Sequence, residues 1–146
     1  MTRFDGTIEA FADVDVDSLV EWVMVIPIED WPKMADDAWR GWGEVFVPLA
    51  YVLTHQHYPD CSVSGLGMFL LAPGQIHPVH QDVQPDNWVT RVHVPIVTNP
   101  HSVACMDDGP HVMQVGKAYR FNTLAMHSVS NGGTTPRLHF IFDIVQ

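Results

Sequence analysis

Basic residues are scarce in this sequence: 7 Lys and Arg stand against 17 Asp and Glu, giving a net charge of −10 over 146 residues. The few cations are scattered, and no stretch of the chain gathers them into a stripe. Proteins that bind nucleic acid usually carry such a stripe, because it releases counterions from the phosphates. We therefore expect no nucleic-acid partner.

Cysteine and long apolar runs are scarce as well. Cys61 and Cys105 form no CxxC pair and are too few for a disulfide framework, as is usual for reduced cysteines in a cytoplasmic protein. The most apolar stretch, residues 19–28, is interrupted by Glu21 and Pro27 and falls short of the roughly 18 residues that a membrane span needs. The N-terminus lacks the basic start and apolar run of a signal peptide. These absences predict a soluble cytoplasmic protein with no membrane partner.

The length of the chain suits one domain, and a hydrophobic content of 47% is enough for a core. The residue pattern changes near residue 62. Before this point, Asp17 or Ser18 can cap a helix that ends near Val25, and a second short helix is expected at residues 33–40. After it, apolar segments alternate with turn signals. The predicted strands are residues 66–71, 88–98, 112–115, 117–121, 125–129 and 138–145.

Many short strands at even spacing are typical of a β-sandwich or barrel. We expect residues 62–146 to form this mainly-β core. Residues 1–61 would support it, with one or two N-terminal helices packed outside one sheet.

Histidine is the abundant residue, with nine in the chain, and imidazole is the commonest metal ligand in proteins. His80 and Asp82 form a His-x-Asp motif, and on an extended segment residues i and i+2 point the same way. His127 follows 47 positions after His80, and Arg137 comes ten positions later. These residues are therefore candidates for one metal site with a cation nearby.

Two histidines and one carboxylate on one side of a metal leave three positions open, as in non-haem Fe(II) oxygenases. Two open positions can take the keto acid of 2-oxoglutarate, and the third can take dioxygen. The planar fork of Arg137 suits the distal carboxylate of that cosubstrate. Alone, His80 and Asp82 could equally be an exposed loop pair. The order of the His-x-Asp motif, His127 and Arg137 favours the metal site.

Five stretches carry a resemblance to a known family: LAPGQIHPVH at 71–80, RVHVPI at 91–96, GKAYRFN at 116–122, HSVSN at 127–131 and PRLHFIFD at 136–143. Over about residues 64–145 the chain resembles the aspartyl/asparaginyl β-hydroxylases. The resemblance implies a double-stranded β-helix, the cupin-like jelly roll. It also implies an Fe(II)- and 2-oxoglutarate-dependent dioxygenase that hydroxylates an unactivated C–H bond.

The resemblance implies roles for residues at matching positions. His80 and His127 would ligate iron, and Asp82 would complete the ligand set where some relatives have glycine. Animal relatives also have a serine that helps to hold the cosubstrate, but Phe69 occupies that position here. Possible substitutes for the serine are Tyr51, Ser62 and Ser64.

The same resemblance implies that Arg137 binds the distal carboxylate of 2-oxoglutarate, whereas Arg91 and His93 line the pocket near the keto-acid end. Two alternatives stay open. Arg91 could be a solvated strand residue or a substrate contact, and His93 could be a core histidine with its nitrogen bonded to a carbonyl. His139 shares a strand face with Arg137, so it could also line the pocket.

Two further residues lie close to the motif in sequence. Trp88 ends a loop beside the metal motif, where it could contact substrate, although core packing is the usual role of tryptophan. His77 lies three residues before His80, so strand alternation points the two side chains in opposite directions. We therefore expect His77 to lie outside the ligand set.

The residues leave the substrate and the oligomeric state open. The resemblance implies an amino acid, or an Asp, Asn or Pro side chain in a peptide, and the short chain favours a small free substrate. An alternative function is a cupin-like metal-binding module without oxygenase activity. A nucleic-acid demethylase with the same chemistry is disfavoured by the charge of −10.

Overall fold

The computed structural model describes residues 2–36 and 41–146, in which nine strands form two antiparallel sheets. The strands are β1 (Ile8–Asp13), β2 (Ser62–Leu71), β3 (Ile76–His80), β4 (Trp88–Val97), β5 (Ser102–Met106), β6 (Gly109–His111), β7 (Lys117–Phe121), β8 (His127–Asn131) and β9 (Arg137–Val145). The larger sheet has the order β1-β7-β4-β9-β2, and the smaller has the order β3-β8-β5-β6. The fold is therefore mainly β, as predicted.

The larger sheet has two chemically different faces, because side chains alternate along each strand. One face of β9 is apolar and buried in the main hydrophobic cluster, and it consists of Leu138, Phe140, Phe142 and Ile144. The opposite face of β9 is turned towards the smaller sheet and carries Arg137, His139, Ile141 and Asp143. Polar side chains are thus concentrated between the two sheets.

The N-terminal helices cover the apolar face. They are α1 (Asp17–Met24), a 3-10 helix (Ile28–Ala35) and α2 (Gly43–His57). Val23 of α1 and Phe46 and Ala50 of α2 are fully buried in the same cluster as the apolar face of β9. Burial of a large apolar side chain contributes about 1.5–3 kcal/mol, so this contact holds the helices outside the larger sheet. None of the described helices is long and apolar enough to cross a membrane.

The first predicted helix is present as α1, but neither proposed residue caps it. The backbone N–H of Asp17 instead donates to the carboxylate of Asp15, at 3.1 Å. The second predicted helix, at residues 33–40, overlaps the end of the 3-10 helix, and its residues 37–40 lie outside the described residues.

The sequence pattern does not predict α2. Pro48 lies inside this helix, where it removes a backbone N–H and usually disfavours helix. Phe46 and Ala50 are fully buried on the larger sheet, and this packing outweighs the missing hydrogen bond.

Most predicted strands lie within a few residues of observed ones, but residues 112–115 form no strand. Val112 and Val115 are exposed, and the backbone N–H of Gln114 donates to the hydroxyl of Tyr119 at 2.8 Å. A side chain therefore takes the hydrogen bond that a neighbouring strand would need. The short strands β1, β3, β5 and β6 were not predicted, since their few residues give too short a pattern.

Gly65 lies at an irregularity in the pairing of β2 with β9 and has a φ of +60°. A Cβ at this position would lie 2.9 Å from Oδ2 of Asp143. We expect Gly65→Ala to lower the free energy of unfolding by about 1–2 kcal/mol, because an L side chain is strained in this region. Gly67→Ala is the control, since its Cβ would lie at an ordinary contact distance of 3.9 Å from Ile141. Urea denaturation measures the free energy of unfolding of both variants. Equal losses in the two variants would contradict this explanation.

Candidate functional site

His80 and His127 lie directly opposite each other in the pairing of β3 with β8. Their ring centroids are 4.2 Å apart, so strand pairing brings together two residues that are far apart in the sequence. Asp82 follows β3, where its backbone N–H donates to the carbonyl of Thr123 at 2.8 Å. One ligand atom from each of the three side chains lies within 4.8 Å of the others. The predicted ligand set is therefore brought together on the smaller sheet.

Backbone hydrogen bonds hold both imidazoles in a tautomer that leaves Nε2 free to bind a metal. Nδ1 of His80 is 2.7 Å from the carbonyl of Pro78, and Nδ1 of His127 is 2.7 Å from the carbonyl of Ala125. A carbonyl oxygen only accepts, so each Nδ1 carries the proton and each Nε2 is left with a free lone pair. Burial also lowers the pKa of His127, which favours the neutral ring. Two such nitrogens and a carboxylate oxygen fit a divalent metal such as Fe(II).

A network on the larger sheet orients the carboxylate of Asp82. Nη1 of Arg91 lies 3.4 Å from Oδ2 of Asp82, while its Nε and Nη2 donate to Asp143 at 2.9 and 3.0 Å. The indole N–H of Trp88 also donates to Asp143, at 3.2 Å. Burial opposes the charge of Arg91, but the hydrogen bonds and charge of Asp143 raise its pKa. Arg91 therefore stays charged and ties Asp82 to the larger sheet.

Arg137 lines the same cavity of about 110 Å³ as the three ligand residues. Its side chain is buried, with 2% of the residue exposed, and Nη1 has no hydrogen-bond partner among residues 2–36 and 41–146. The guanidinium lies over the ring of Phe69, 5.1 Å from its centroid. Burial lowers the pKa of Arg137 to about 9, since a cation without a carboxylate partner is poorly solvated there. This cation is suited to an anion that enters the cavity.

Two buried histidines lie beside Arg137. His93 lines the cavity and stacks on Phe121 with a centroid distance of 4.7 Å, and its Nδ1 is 3.0 Å from Nδ1 of His139. Burial lowers the pKa of both histidines well below the usual value, and the charge of Arg137 lowers it further. Both rings are therefore neutral at pH 7.

The family model of aspartyl/asparaginyl β-hydroxylase matches residues 47–146, which is more than half of the chain. The chain belongs to the aspartyl/asparaginyl β-hydroxylase family. Among curated proteins, none matches this chain. The ligand set among the described residues supports a metal cofactor.

Solved structures show a related fold. The nickel complex of the non-haem monooxygenase ThoJ is similar with a TM-score of 0.54 and 16% identity, over 73% of this chain and 54% of that chain. The chain thus spans about half the length of ThoJ, and at this identity the likeness supports the fold alone. A cupin domain from Bordetella pertussis matches with a TM-score of 0.45 and 18% identity, over 59% of this chain and 92% of its own. The two antiparallel sheets, the family match and the likeness to the ThoJ fold confirm the predicted cupin-like jelly roll of this family member.

The structure corrects the expected role of Trp88 in this family member. Trp88 begins β4 with 2% of its surface exposed, and it does not line the cavity. Its indole N–H is bonded to Asp143. Trp88 is therefore a core residue that supports the network of Arg91, and the substrate contact predicted for it is wrong.

His77 was expected to face away from His80, and this expectation is wrong. The pairing of β3 with β8 shifts between His77 and His80, which changes the alternation of the side chains. Both rings line the cavity, edge to face at 4.5 Å. His77 nevertheless lies outside the ligand set found among the described residues.

None of the residues proposed as a second cosubstrate contact lies in the cavity. Tyr51 and Ser62 line a separate surface groove, and Ser64 is exposed on β2. Phe69 does line the cavity, where its ring covers one face of the Arg137 guanidinium. At this position the chain therefore has an aromatic contact to the arginine.

Sequence reasoning missed Asp143 as a member of the site. Asp143 lies directly opposite Arg91 in the pairing of β9 with β4. The sequence pattern could have indicated Asp143, because side-chain alternation along a strand puts Arg137, His139 and Asp143 on one face. What the sequence lacked was the neighbouring strand that pairs Asp143 with Arg91.

We expect Asp143→Asn to weaken metal binding by about tenfold, the lower end of the effect of losing a residue that orients a ligand. The amide cannot form the charged bidentate pair, so Arg91 would no longer hold Asp82 in position. Competition with a chromophoric chelator measures the affinity. Asp108→Asn, on an exposed turn, is the control for the same chemical change. Unchanged metal affinity in Asp143→Asn would contradict the positioning role.

Proposed function

We propose that this protein is an Fe(II)- and 2-oxoglutarate-dependent dioxygenase that hydroxylates an unactivated C–H bond. The observation that carries the proposal is the buried cation of Arg137, with unpartnered N–H groups, in the same cavity as the His80, Asp82 and His127 ligand set. A metal site alone needs no such cation. A dicarboxylate that chelates a metal through one end and extends a carboxylate from the other end needs both features.

His80, Asp82 and His127 would hold the iron. The hydrogen bonds of the two imidazoles to backbone carbonyls and the contact of Arg91 with Asp82 hold the three ligand atoms close together. When bound, iron and 2-oxoglutarate would supply the activation of dioxygen, releasing carbon dioxide and placing one oxygen atom in succinate and the other in the hydroxylated product.

Arg137 would bind the distal carboxylate of 2-oxoglutarate. Its guanidinium is planar and carries a positive charge at pH 7, and the apolar ring of Phe69 limits access of water to one face. His93 would lie near the keto-acid end. Arg91 also lines the cavity, but Asp143 occupies two of its nitrogens, so its contact with the keto acid would be limited to Nη1.

The proposed substrate is an amino acid, or an Asp, Asn or Pro side chain in a peptide. The cavity of about 110 Å³ is small, so the substrate would approach from its open side. His77 and Thr123 lie among the residues that line it. These two side chains are the polar groups that we propose for the first contacts with the substrate.

Release of carbon dioxide and succinate from 2-oxoglutarate tests the proposal. We expect both products in equal amounts, with a requirement for Fe(II) and dioxygen. A screen of free amino acids and peptides should find a product heavier by one oxygen atom in mass spectrometry. A protein that binds Fe(II) but neither binds nor consumes 2-oxoglutarate would refute the proposal and identify a cupin-like metal-binding module.

A further inference from the structure

Strand β9 gives each of the two cavity arginines a partner, and the two partners differ in charge. Asp143 pairs with Arg91 through two hydrogen bonds to its guanidinium. His139 lies two residues after Arg137, with Nδ1 2.8 Å from Nη2 and Nε2 3.1 Å from Nε of the arginine. In the described part of the chain, no carboxylate forms an ion pair with Arg137. The first arginine is thus neutralised and the second is not.

His139 cannot supply a compensating charge. Only 1% of its surface is exposed, and burial together with the charge of Arg137 lowers its pKa well below the usual value. A neutral imidazole has one acceptor nitrogen, so His139 accepts one hydrogen bond from Arg137 at a time. Most of the N–H groups of Arg137 therefore stay available, including both on Nη1.

The contact nevertheless restricts the guanidinium. The ring of His139 lies alongside one edge of it, and the ring of Phe69 covers one face. Nδ1 of His93 lies 3.0 Å from Nδ1 of His139, the same nitrogen that Nη2 of Arg137 approaches, and so restrains the His139 ring. A carboxylate at position 139 would hold Arg137 equally well, but it would form a buried ion pair and compete with any incoming anion.

We propose that His139 is a positioning residue that orients Arg137 for an anionic ligand while leaving its positive charge unneutralised. This role of His139 rests on the proposed function in one respect, which is that the anionic ligand is 2-oxoglutarate. His139 itself lines a narrow space behind Arg137 and does not line the cavity of the ligand residues. It acts through Arg137 and touches no reactant.

The test compares His139→Asp with His139→Asn, because the side chains of aspartate and asparagine have nearly the same shape and differ in charge. Calorimetric titration of 2-oxoglutarate into the anaerobic Fe(II)-loaded full chain should give a dissociation constant for the Asn variant within about threefold of wild type. The Asp variant should bind at least about tenfold more weakly, because a charge-assisted partner of Arg137 is already present. Fe(II) affinity should be the same in all three proteins. Equal 2-oxoglutarate affinity in the two variants would overturn the proposal.

A second measurement uses the unmodified protein and does not depend on the folding of a variant. Nitrogen-15 NMR of the imidazole rings should find His139 neutral at pH 6 and pH 7. A protonated His139 would overturn the proposal. If wild-type protein binds no 2-oxoglutarate at all, the proposed function fails, and the NMR result alone decides the role of His139.

Discussion

Replacing His80 with alanine should abolish 2-oxoglutarate turnover and weaken Fe(II) binding by at least about 100-fold. Removing a residue that only orients a metal ligand weakens binding by up to about 100-fold, and removing the ligand itself should cost at least as much. The reason is geometric. His80 supplies one of three ligand atoms that lie within 4.8 Å of one another, and no other described residue belongs to the set. A pair of ligands binds a divalent metal far more weakly than three on one side of it.

The chain offers a close control in His77. Its ring lines the same cavity and contacts the ring of His80 edge to face, but it lies outside the ligand set. His77→Ala should therefore keep Fe(II) affinity within about threefold of wild type, an effect smaller than that of removing a ligand-orienting partner. Chelator competition measures the affinity, and succinate release measures turnover. If the two variants lose metal to the same extent, the assignment of the ligands is wrong.

Replacing Arg137 with methionine should have two opposite effects. The dissociation constant of 2-oxoglutarate should rise by about 100-fold, because hydrogen bonds between charged groups contribute roughly 1.5–3 kcal/mol each. The free energy of unfolding of the ligand-free protein should increase by about 1–2 kcal/mol, because a buried cation without a carboxylate partner is replaced by an apolar side chain. A binding site that destabilises the empty protein is expected where function requires an unpaired charge.

Arg120→Met is the matched control for the loss of one positive charge. Arg120 lies over the rings of Phe11 and Tyr58 and contacts Glu9 at 3.5 Å, away from the cavity. Its loss should leave the affinity for 2-oxoglutarate unchanged and should not stabilise the protein. Calorimetry and urea denaturation measure the two quantities. Wild-type affinity in Arg137→Met would refute the role of Arg137 and, with it, the cosubstrate.

The apolar segments in the second half of the chain were enough to predict most of the larger sheet. Alternation along β9 also placed Arg137 and His139 on one face, and this holds in the structure. The helix α2 could not be predicted in the same way. Pro48 gives a local signal against helix, whereas the burial of Phe46 on the sheet is a contact between residues far apart in sequence.

Side-chain direction was the least predictable feature of the site. His77 turned out to line the cavity because of one pairing irregularity in β3, which no residue pattern reveals. The strand that begins at Trp88 was predicted, but its ring is buried and does not face a substrate. In both cases the neighbouring strand decided the outcome.

The sequence by itself determined which chemical groups are available and in what order: a His-x-Asp motif, a distant histidine and an arginine on an alternating strand. The tertiary structure alone decided which of the arginines is neutralised. Arg91 and Arg137 have the same ionisable group, but only Arg91 lies opposite a carboxylate across the sheet. Charge compensation depends on distances between strands, and these distances exist only after the chain has folded.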